Sequence, residues 1–130
     1  MGKELAHQVA AQIRSYVERG FCESCAAPGS GWTPLVPSSG HCAIVAMFVR
    51  ALIGGVYVSA KPGGVSHWFN RVQMPGGRSY DVDITGDQFG RAAVQVGDPG
   101  SLYSETRYRH EGDINLGTIE RYEQLLARLQ

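Results

Sequence analysis

The sequence lacks an excess of charge of either sign. Its 12 Lys and Arg residues balance 12 Asp and Glu residues, so the formal net charge is zero at pH 7. A balanced charge provides no electrostatic attraction for nucleic acid or for an anionic membrane surface. We therefore expect neither as a partner. Charged residues make up only 18% of the chain and apolar residues 43%, which excludes a disordered chain.

Long hydrophobic runs and abundant cysteine are also missing. The longest apolar run, residues 43–53, is interrupted by Arg50 and is too short to cross a bilayer. The first residues contain no apolar stretch typical of a secretion signal. Three cysteines, Cys22, Cys25 and Cys42, are too few for a disulfide framework. These features predict a cytoplasmic protein with free thiols.

Glycine, in contrast, is abundant, with 17 residues, and this favours a β-containing fold with many tight turns. The length predicts one domain spanning residues 1–130. Apolar residues at helical spacing predict an amphipathic helix that ends at Gly20; they are Leu5, Val9, Ile13, Tyr16 and Val17. Residues 21–40 are rich in Cys, Pro, Gly and Ser, which is typical of a loop. Residues 42–53 are apolar nearly all round and predict a buried central helix closed by Gly54 and Gly55.

Three strands are predicted after the central helix, over residues 56–60, 66–73 and 78–84, with a hairpin turn at Pro75-Gly76-Gly77. Residues 86–113 are irregular, apart from a short strand around 94–96. A closing helix begins at Asn115 or Thr118 and ends at Leu129, with an apolar stripe formed by Ile119, Tyr122, Leu126 and Leu129. The order predicts an α+β domain in which a central helix packs on a small antiparallel sheet, flanked by terminal helices.

A nucleophile is predicted at Cys42, which opens the central helix directly after Ser38-Ser39-Gly40-His41. Backbone N–H groups at a helix start lack intrahelical partners and carry the positive end of the helix dipole, so they favour a thiolate. The same groups could bind the oxyanion of a tetrahedral intermediate. The alternative is that Cys42 is a small core residue, the usual role of a buried cysteine.

Two residues of the predicted hairpin suggest a catalytic triad. With a turn centred near residue 76, the numbers of cross-strand partners sum to about 152, which places Asp83 on the diagonal next to His67. An acid there could orient an imidazole that faces the thiol. Asp81 shares the strand face and is a second candidate, whereas Asp87 is interpreted as a turn or cap residue. The alternative for His67 is a hydrogen-bonded histidine of the sheet.

A Cys at the start of a central helix, followed by His and Asp on adjacent antiparallel strands, resembles the papain-like and transglutaminase-like cysteine enzymes. A closer resemblance, over about residues 32–126, is to the YunG-like family of small bacterial proteins. The matching segments are Trp32, Ser39-Gly40-His41-Cys42-Ala43, Gly54-Gly55, Ser66-His67-Trp68-Phe69-Asn70-Arg71, Val82-Asp83-Ile84-Thr85, Asp87-Gln88-Phe89 and residues 118–125.

The resemblance implies that Cys42, His67 and Asp83 are nucleophile, base and orienting acid. The family usually carries Gln directly before the Cys, a residue suited to donate to an oxyanion, and this chain has His41 there. Candidates for the oxyanion or substrate site are therefore His41, Ser39 and Trp32, although Trp32 could equally pack its loop onto the core. The resemblance implies no particular substrate.

The spacing Cys22-Glu-Ser-Cys25 is compatible with half of a zinc site or with a redox motif. A structural zinc site needs four ligands, and a redox Cys-x-x-Cys normally opens a helix after a strand. Here the motif follows the end of a helix. We interpret the pair as two ordinary thiols in a loop and expect no metal or cofactor.

Together these features predict a cysteine-dependent hydrolase or acyltransferase that attacks an amide or ester-type carbonyl and forms a thioester. Amide or isopeptide cleavage, deamidation and transamidation share this half-reaction, so a peptide or protein amide is the expected substrate. A non-catalytic binding module that retains the papain-like fold is the alternative. A zinc-dependent interaction domain built on Cys22 and Cys25 is a third interpretation.

Overall fold

A computed structural model, which describes residues 2–130, has three helices and a five-stranded antiparallel sheet, so the α+β prediction is confirmed. The helices are α1 (Gly2–Val17), α2 (Cys42–Ile53) and α3 (Leu116–Arg128). The strands are β1 (Val56–Ala60), β2 (His67–Gln73), β3 (Ser79–Asp83), β4 (Gln95–Gly97) and β5 (Arg107–Arg109), in the spatial order β4-β3-β2-β1-β5. Over the described residues, no helix combines the length and the apolar character needed to cross a membrane.

The hairpin of β2 and β3 has the predicted register, because Asn70 lies opposite Val82. Its turn is closed by a hydrogen bond from the Met74 amide to the Arg78 carbonyl of 2.8 Å. Gly76 and Gly77 have φ angles of 100° and 94°, a conformation that glycine adopts without steric cost. The first residue of β2 and the last residue of β3 therefore lie at the same end of the hairpin, the end remote from the turn.

The buried face of α1 differs from the predicted stripe. Leu5 and Tyr16 are 40% and 43% exposed, and the residues that α1 buries are Ala6, Ala10, Ile13, Arg14 and Val17. Arg14 takes a place on the buried face because carboxylates and a carbonyl oxygen accept hydrogen bonds from its guanidinium. The helix continues to the predicted end, Gly20, as a short 3-10 turn.

Helix α3 begins one residue after Asn115, whose side chain accepts a hydrogen bond from the Thr118 amide at 2.8 Å. The predicted stripe is partly wrong, because Ile119 is 38% exposed and Leu125 is fully buried. Leu125 packs against the end of α1, where a Cβ atom at Gly20 would lie 2.7 Å from it. Because Gly20 has no side chain, Leu125 can pack directly on the backbone there, and the buried face of α3 is centred on Leu125.

Two apolar clusters hold the sheet. The larger lies between the helices and the sheet and includes Ile44, Val49 and Val82. The smaller consists of Val58, Ala60, Phe69 and Tyr103. Strand β5, which pairs with β1, was not predicted, since its sequence Arg-Tyr-Arg has no buried alternation.

Candidate active site

His67 and Asp83 form a buried pair at the end of the hairpin. The Nε2 atom of His67 lies 2.9 Å from Oδ2 of Asp83, and the two side chains are 0% and 1% exposed. An ionised carboxylate only accepts hydrogen bonds, so Nε2 carries a proton and donates it. Nδ1 is then the imidazole nitrogen left for another partner.

Four further groups point hydrogen atoms at Asp83. The Thr85 amide (3.0 Å) and hydroxyl donate to Oδ1, while the Gln95 amide (3.2 Å) and the Tyr103 hydroxyl donate to Oδ2. Burial alone would raise the pKa of Asp83, but the His67 contact, followed by the Tyr103 and Thr85 hydrogen bonds, outweighs it and lowers the pKa. Asp83 is therefore an anion whose position is fixed from several sides.

The imidazole of His67 is a stronger base than an ordinary histidine. Burial opposes its protonation, but the contacts with Asp83 and with the Cys42 thiol raise the pKa of His67 to about 9. Its Nδ1 atom is buried and has no hydrogen-bond partner of standard geometry among the described residues. The Cys42 thiol is thus close enough to the imidazole to raise its pKa, without a hydrogen bond of standard geometry, which is common in a site without substrate.

Cys42 is half-buried at the first position of α2. The residue before it, His41, makes no side-chain cap on the helix, in contrast to the Asn115 cap on α3. Backbone N–H groups at a helix start without a cap remain available to an anion. The start of α2 therefore suits a thiolate or an oxyanion.

A short turn, residues 86–89, connects the site to the rest of the molecule. Asp87 accepts two hydrogen bonds from Arg14, at 2.8 and 3.0 Å, and one from the Ser38 hydroxyl at 2.7 Å. The ring of Phe89 meets the His67 ring edge-on, with centroids 4.8 Å apart. Asp87 thus connects α1 and the segment before Cys42 to the turn that carries Phe89. This is a larger role than the turn or cap residue predicted from the sequence.

Gln88, in the same turn, uses only one end of its side-chain amide in a hydrogen bond to the described residues. Its Oε1 accepts a hydrogen bond from the Gly40 amide at 3.3 Å, whereas its Nε2 is buried and has no partner within residues 2–130. Gln88 and Cys42 both line a cleft of about 480 Å³. From the sequence, Gln88 stands out only as part of the Asp87-Gln88-Phe89 segment shared with the family, because no local pattern indicates that this turn folds against residue 40.

Of the three predicted oxyanion or substrate residues, only Ser39 lines this cleft. His41 is fully buried, its Nε2 accepts from the Cys22 amide at 3.2 Å, and its Nδ1 lies 2.8 Å from the Ser39 carbonyl. Burial lowers the pKa of His41, so the ring is neutral, and its one N–H, at Nδ1, donates to the Ser39 carbonyl. The indole of Trp32 donates to the Pro37 carbonyl at 2.9 Å and closes its own loop. The structure therefore leaves no donor of His41 or Trp32 for a substrate in the cleft.

The second candidate acid, Asp81, has a different partner. Arg71 donates to both its oxygens, at 2.6 and 3.1 Å, and the Gly100 amide donates at 2.8 Å. Asp81 is therefore not placed to orient His67. A larger cleft, about 670 Å³, is lined by basic residues such as Lys61 and Arg107 and shares only Tyr103 with the His67 network. The cleft of about 480 Å³ is the one that bears on the chemistry, because Cys42 lines it and does not line the larger cleft.

No group of three or more His, Cys, Asp or Glu side chains within residues 2–130 is arranged to hold a metal ion. Cys22 and Cys25 are free thiols whose sulfur atoms lie 3.4 Å apart. They are thus close neighbours, a proximity that the spacing alone did not establish.

Comparison with known proteins identifies a family. The family model described as "YunG protein" matches residues 9–130, a longer stretch than the resemblance seen in the sequence. No curated protein and no solved structure matches the chain significantly.

Proposed function

The chain belongs to the YunG family, and we propose that it is a cysteine-dependent hydrolase or acyltransferase with a Cys42–His67–Asp83 triad. The observation that carries the proposal is the orientation of His67. Its Nε2 is bound to a buried carboxylate, its Nδ1 has no partner among the described residues, and the thiol at the start of α2 is close enough to raise the pKa of the ring. The order of a nucleophile on a central helix, then a His and an acid on the sheet, also supports a papain-like arrangement.

The raised pKa of His67, about 9, favours an imidazolium at neutral pH, and the proton comes from the Cys42 thiol. The Cys42 sulfur then attacks the carbonyl carbon of an amide and forms a tetrahedral intermediate. Its collapse breaks the C–N bond, while the Nδ1 proton passes to the leaving amine. The remaining thioester is attacked by water or by an amine, whose proton passes to His67, and the C–S bond breaks to regenerate the Cys42 thiolate beside the imidazolium.

The oxyanion of the intermediate needs donors that are fixed in advance. We assign this role to the backbone N–H of Cys42 and to the side-chain N–H of Gln88, since Gln88 lines the same cleft and its Nε2 has no partner in the part of the chain that the structure describes. Gln88 supplies the amide that the family usually carries directly before the Cys. His41, which stands in that place, instead fixes the loop that leads to Cys42.

The cleft also indicates a class of substrate. Arg121 lines it, and the buried Nε atom of Arg121 has no partner among the described residues. A guanidinium favours an oxygen acceptor, a carboxylate above all. We therefore propose a peptide or protein amide that carries a carboxylate or amide oxygen close to the bond that is broken.

Acetylation by p-nitrophenyl acetate tests the proposal without a known substrate. We expect a burst of nitrophenol equal to the enzyme concentration and one acetyl group on Cys42, located by mass spectrometry. Cys42→Ser should abolish the burst and Cys22→Ser should retain it. The absence of an adduct on Cys42, or an equal rate in His67→Ala, would contradict the proposal and favour a non-catalytic binding module.

The oxyanion assignment has its own test. Gln88→Ala should lower the acetylation rate by about 10²-fold, the loss typical of a single oxyanion donor. Alkylation of Cys42 by iodoacetamide, which forms no oxyanion, should stay within twofold of the parent protein. Equal losses in both reactions would show that Gln88 positions Cys42 rather than binding the oxyanion.

A further inference from the structure

We propose that Cys22 and Cys25 form a redox site, a dithiol that converts reversibly to an intramolecular disulfide by exchange with small-molecule disulfides. The two sulfur atoms are 3.4 Å apart on a short 3-10 turn, Glu23–Cys25. A disulfide bond is about 2.05 Å long, so its formation requires the sulfurs to approach by a little over 1 Å. Rotation of the half-exposed Cys22 side chain and a small shift of the turn can bring the two sulfur atoms together.

The two thiols differ in access. Cys25 is fully buried in the larger core cluster, whereas Cys22 is half-exposed and its sulfur contacts the Ser24 hydroxyl at 3.2 Å. A reagent from solution therefore meets Cys22 first. Cys25 lies behind it, where it can react with Cys22 and is shielded from larger reagents.

The electrostatics of the pair give the same order. Burial opposes ionisation of Cys22, but hydrogen bonds from Ser24 and Cys25 outweigh it and lower the pKa of Cys22. Burial and the neighbouring Cys22 raise the pKa of Cys25 to about 11. Since thiolates are the attacking species in exchange, Cys22 is the attacking residue and Cys25 the resolving one.

The exchange balances with a disulfide of the glutathione type as the oxidant. The Cys22 thiolate attacks one sulfur of that disulfide, forms a mixed disulfide and releases one small thiolate. Cys25 then loses its proton, attacks the Cys22 sulfur and releases the second small thiolate. Two protein thiols are oxidised by two electrons, the small disulfide is reduced to two thiols, and these take up the two protons.

The redox site is hydrogen-bonded to the segment that precedes Cys42. The Cys22 amide donates to His41, and the Ala27 amide donates to the Gly40 carbonyl at 2.9 Å. When the turn shifts to close the disulfide, these bonds must adjust. We therefore expect the rate at which iodoacetamide alkylates Cys42 to differ at least threefold between the oxidised and the reduced protein.

The test equilibrates the whole protein in buffers of increasing glutathione disulfide, quenches it in acid and alkylates the remaining thiols. One tryptic peptide, residues 20–50, contains all three cysteines. Further cleavage after Glu23 and Trp32 separates them, so a Cys22–Cys25 disulfide joins residues 20–23 to 24–32. We expect this linked pair, its loss on reduction, and its retention in Cys42→Ala. Because Cys42→Ala has no nucleophile, this result is independent of the proposed enzymatic function.

Cys25→Ser provides the control for the order of attack, since it should stop at a mixed disulfide on Cys22. Linkage of either residue to Cys42, disulfides between molecules, or two free thiols in buffers that oxidise a solvent-exposed dithiol peptide of residues 20–27 would overturn the proposal. An equal Cys42 alkylation rate in oxidised and reduced protein would overturn the link to the segment before Cys42.

Discussion

Two buried carboxylates on β3, Asp81 and Asp83, have the same chemistry and opposite uses. Both point to the same face of the sheet, and each has a partner on β2. Arg71, the partner of Asp81, is always protonated, because the pKa of a guanidinium is already high and the Asp81 carboxylate raises it further. His67, the partner of Asp83, can release its proton. A carboxylate is thus structural or chemical according to whether its partner can exchange a proton.

Position along the hairpin explains the difference. Asp81 lies directly opposite Arg71 within the ladder, so the ion pair is enclosed by neighbouring strands. Asp83 ends β3, one residue beyond Asn70 and Val82, the last residues that pair β2 with β3. There the sheet lies next to the start of α2, and the Cys42 thiol can act on the imidazole. The same strand therefore contributes to stability at one position and to the candidate site two residues later.

The largest effect should come from removing the charge at each position in turn. Asp83→Asn should lower acetylation of Cys42 on the order of 10³-fold or more, because an amide can present a donor to Nε2 and hold the wrong tautomer. Asp81→Asn should leave the rate within about twofold, because the hydrogen bonds of Asp81 go to Arg71 and to the Gly100 amide and not to His67. Burst kinetics with p-nitrophenyl acetate measure both. A similar loss in the two variants would remove the distinction between the pairs.

Stability should show the reverse emphasis at Asp81. Asp81→Asn removes the anion that pairs with Arg71, and the Arg71 side chain is only 14% exposed. We expect a loss of about 3 kcal/mol in the free energy of unfolding, as for other broken buried pairs. The double variant Arg71→Met with Asp81→Leu should recover most of this loss in urea denaturation. No recovery would show that Asp81 acts mainly through the Gly100 amide.

The two pairs should also differ in pH dependence. The pKa of His67 is raised from 6.5 to about 9, so the folded state keeps a proton that the unfolded state loses between these values. In Cys42→Ala, where no thiolate offsets the imidazolium proton, the stability from this proton is complete below pH 6.5 and is lost as the pH rises through the folded pKa of His67, which Asp83 still raises. In this background, His67→Gln should remove this slope from the unfolding free energy, whereas Arg71→Met should retain it. A slope that persists in His67→Gln would assign it to another group.

The smallest effect concerns two tyrosine hydroxyls, one beside each pair. Tyr103 donates to Asp83, and Tyr108 accepts from Arg71 at 3.1 Å. Tyr103→Phe should slow acetylation of Cys42 by about tenfold, because a hydrogen bond to a charged group contributes about 1.5 kcal/mol. Tyr108→Phe should have no measurable effect on the rate. Equal rates in both variants would show that Asp83 does not need the Tyr103 hydroxyl.

The elements that local pattern determines were predictable. The turn at Pro75-Gly76-Gly77 determined the register of the hairpin, and this register placed Asp83 next to His67. The apolar run bounded by glycines located the start of α2 at Cys42. These predictions depend on neighbours along the chain or across one tight turn.

The contacts that join distant segments were not predictable. Arg14 has the spacing of a residue on a polar helix face, and its burial depends on Asp87, which lies 73 positions further along the chain. The free amide of Gln88 and the paired ring of His41 likewise depend on loops that meet only in the folded chain. Burial of a charged or polar group is favourable only when its partner is present, and a single sequence does not show the partner.

The central claim is that His67 and Cys42 form an ion pair, and the pH dependence of iodoacetamide alkylation tests it most directly. Peptides cut at Glu23 and Trp32 report Cys22, Cys25 and Cys42 separately, so the first two are internal references. We predict that Cys42 reacts rapidly at pH 6 and that His67→Ala slows it by about 10²-fold at that pH, as expected when an ordinary thiol replaces a thiolate. The rates of Cys22 and Cys25 should not change. A Cys42 rate at pH 6 that is equally slow with and without His67 would contradict the account.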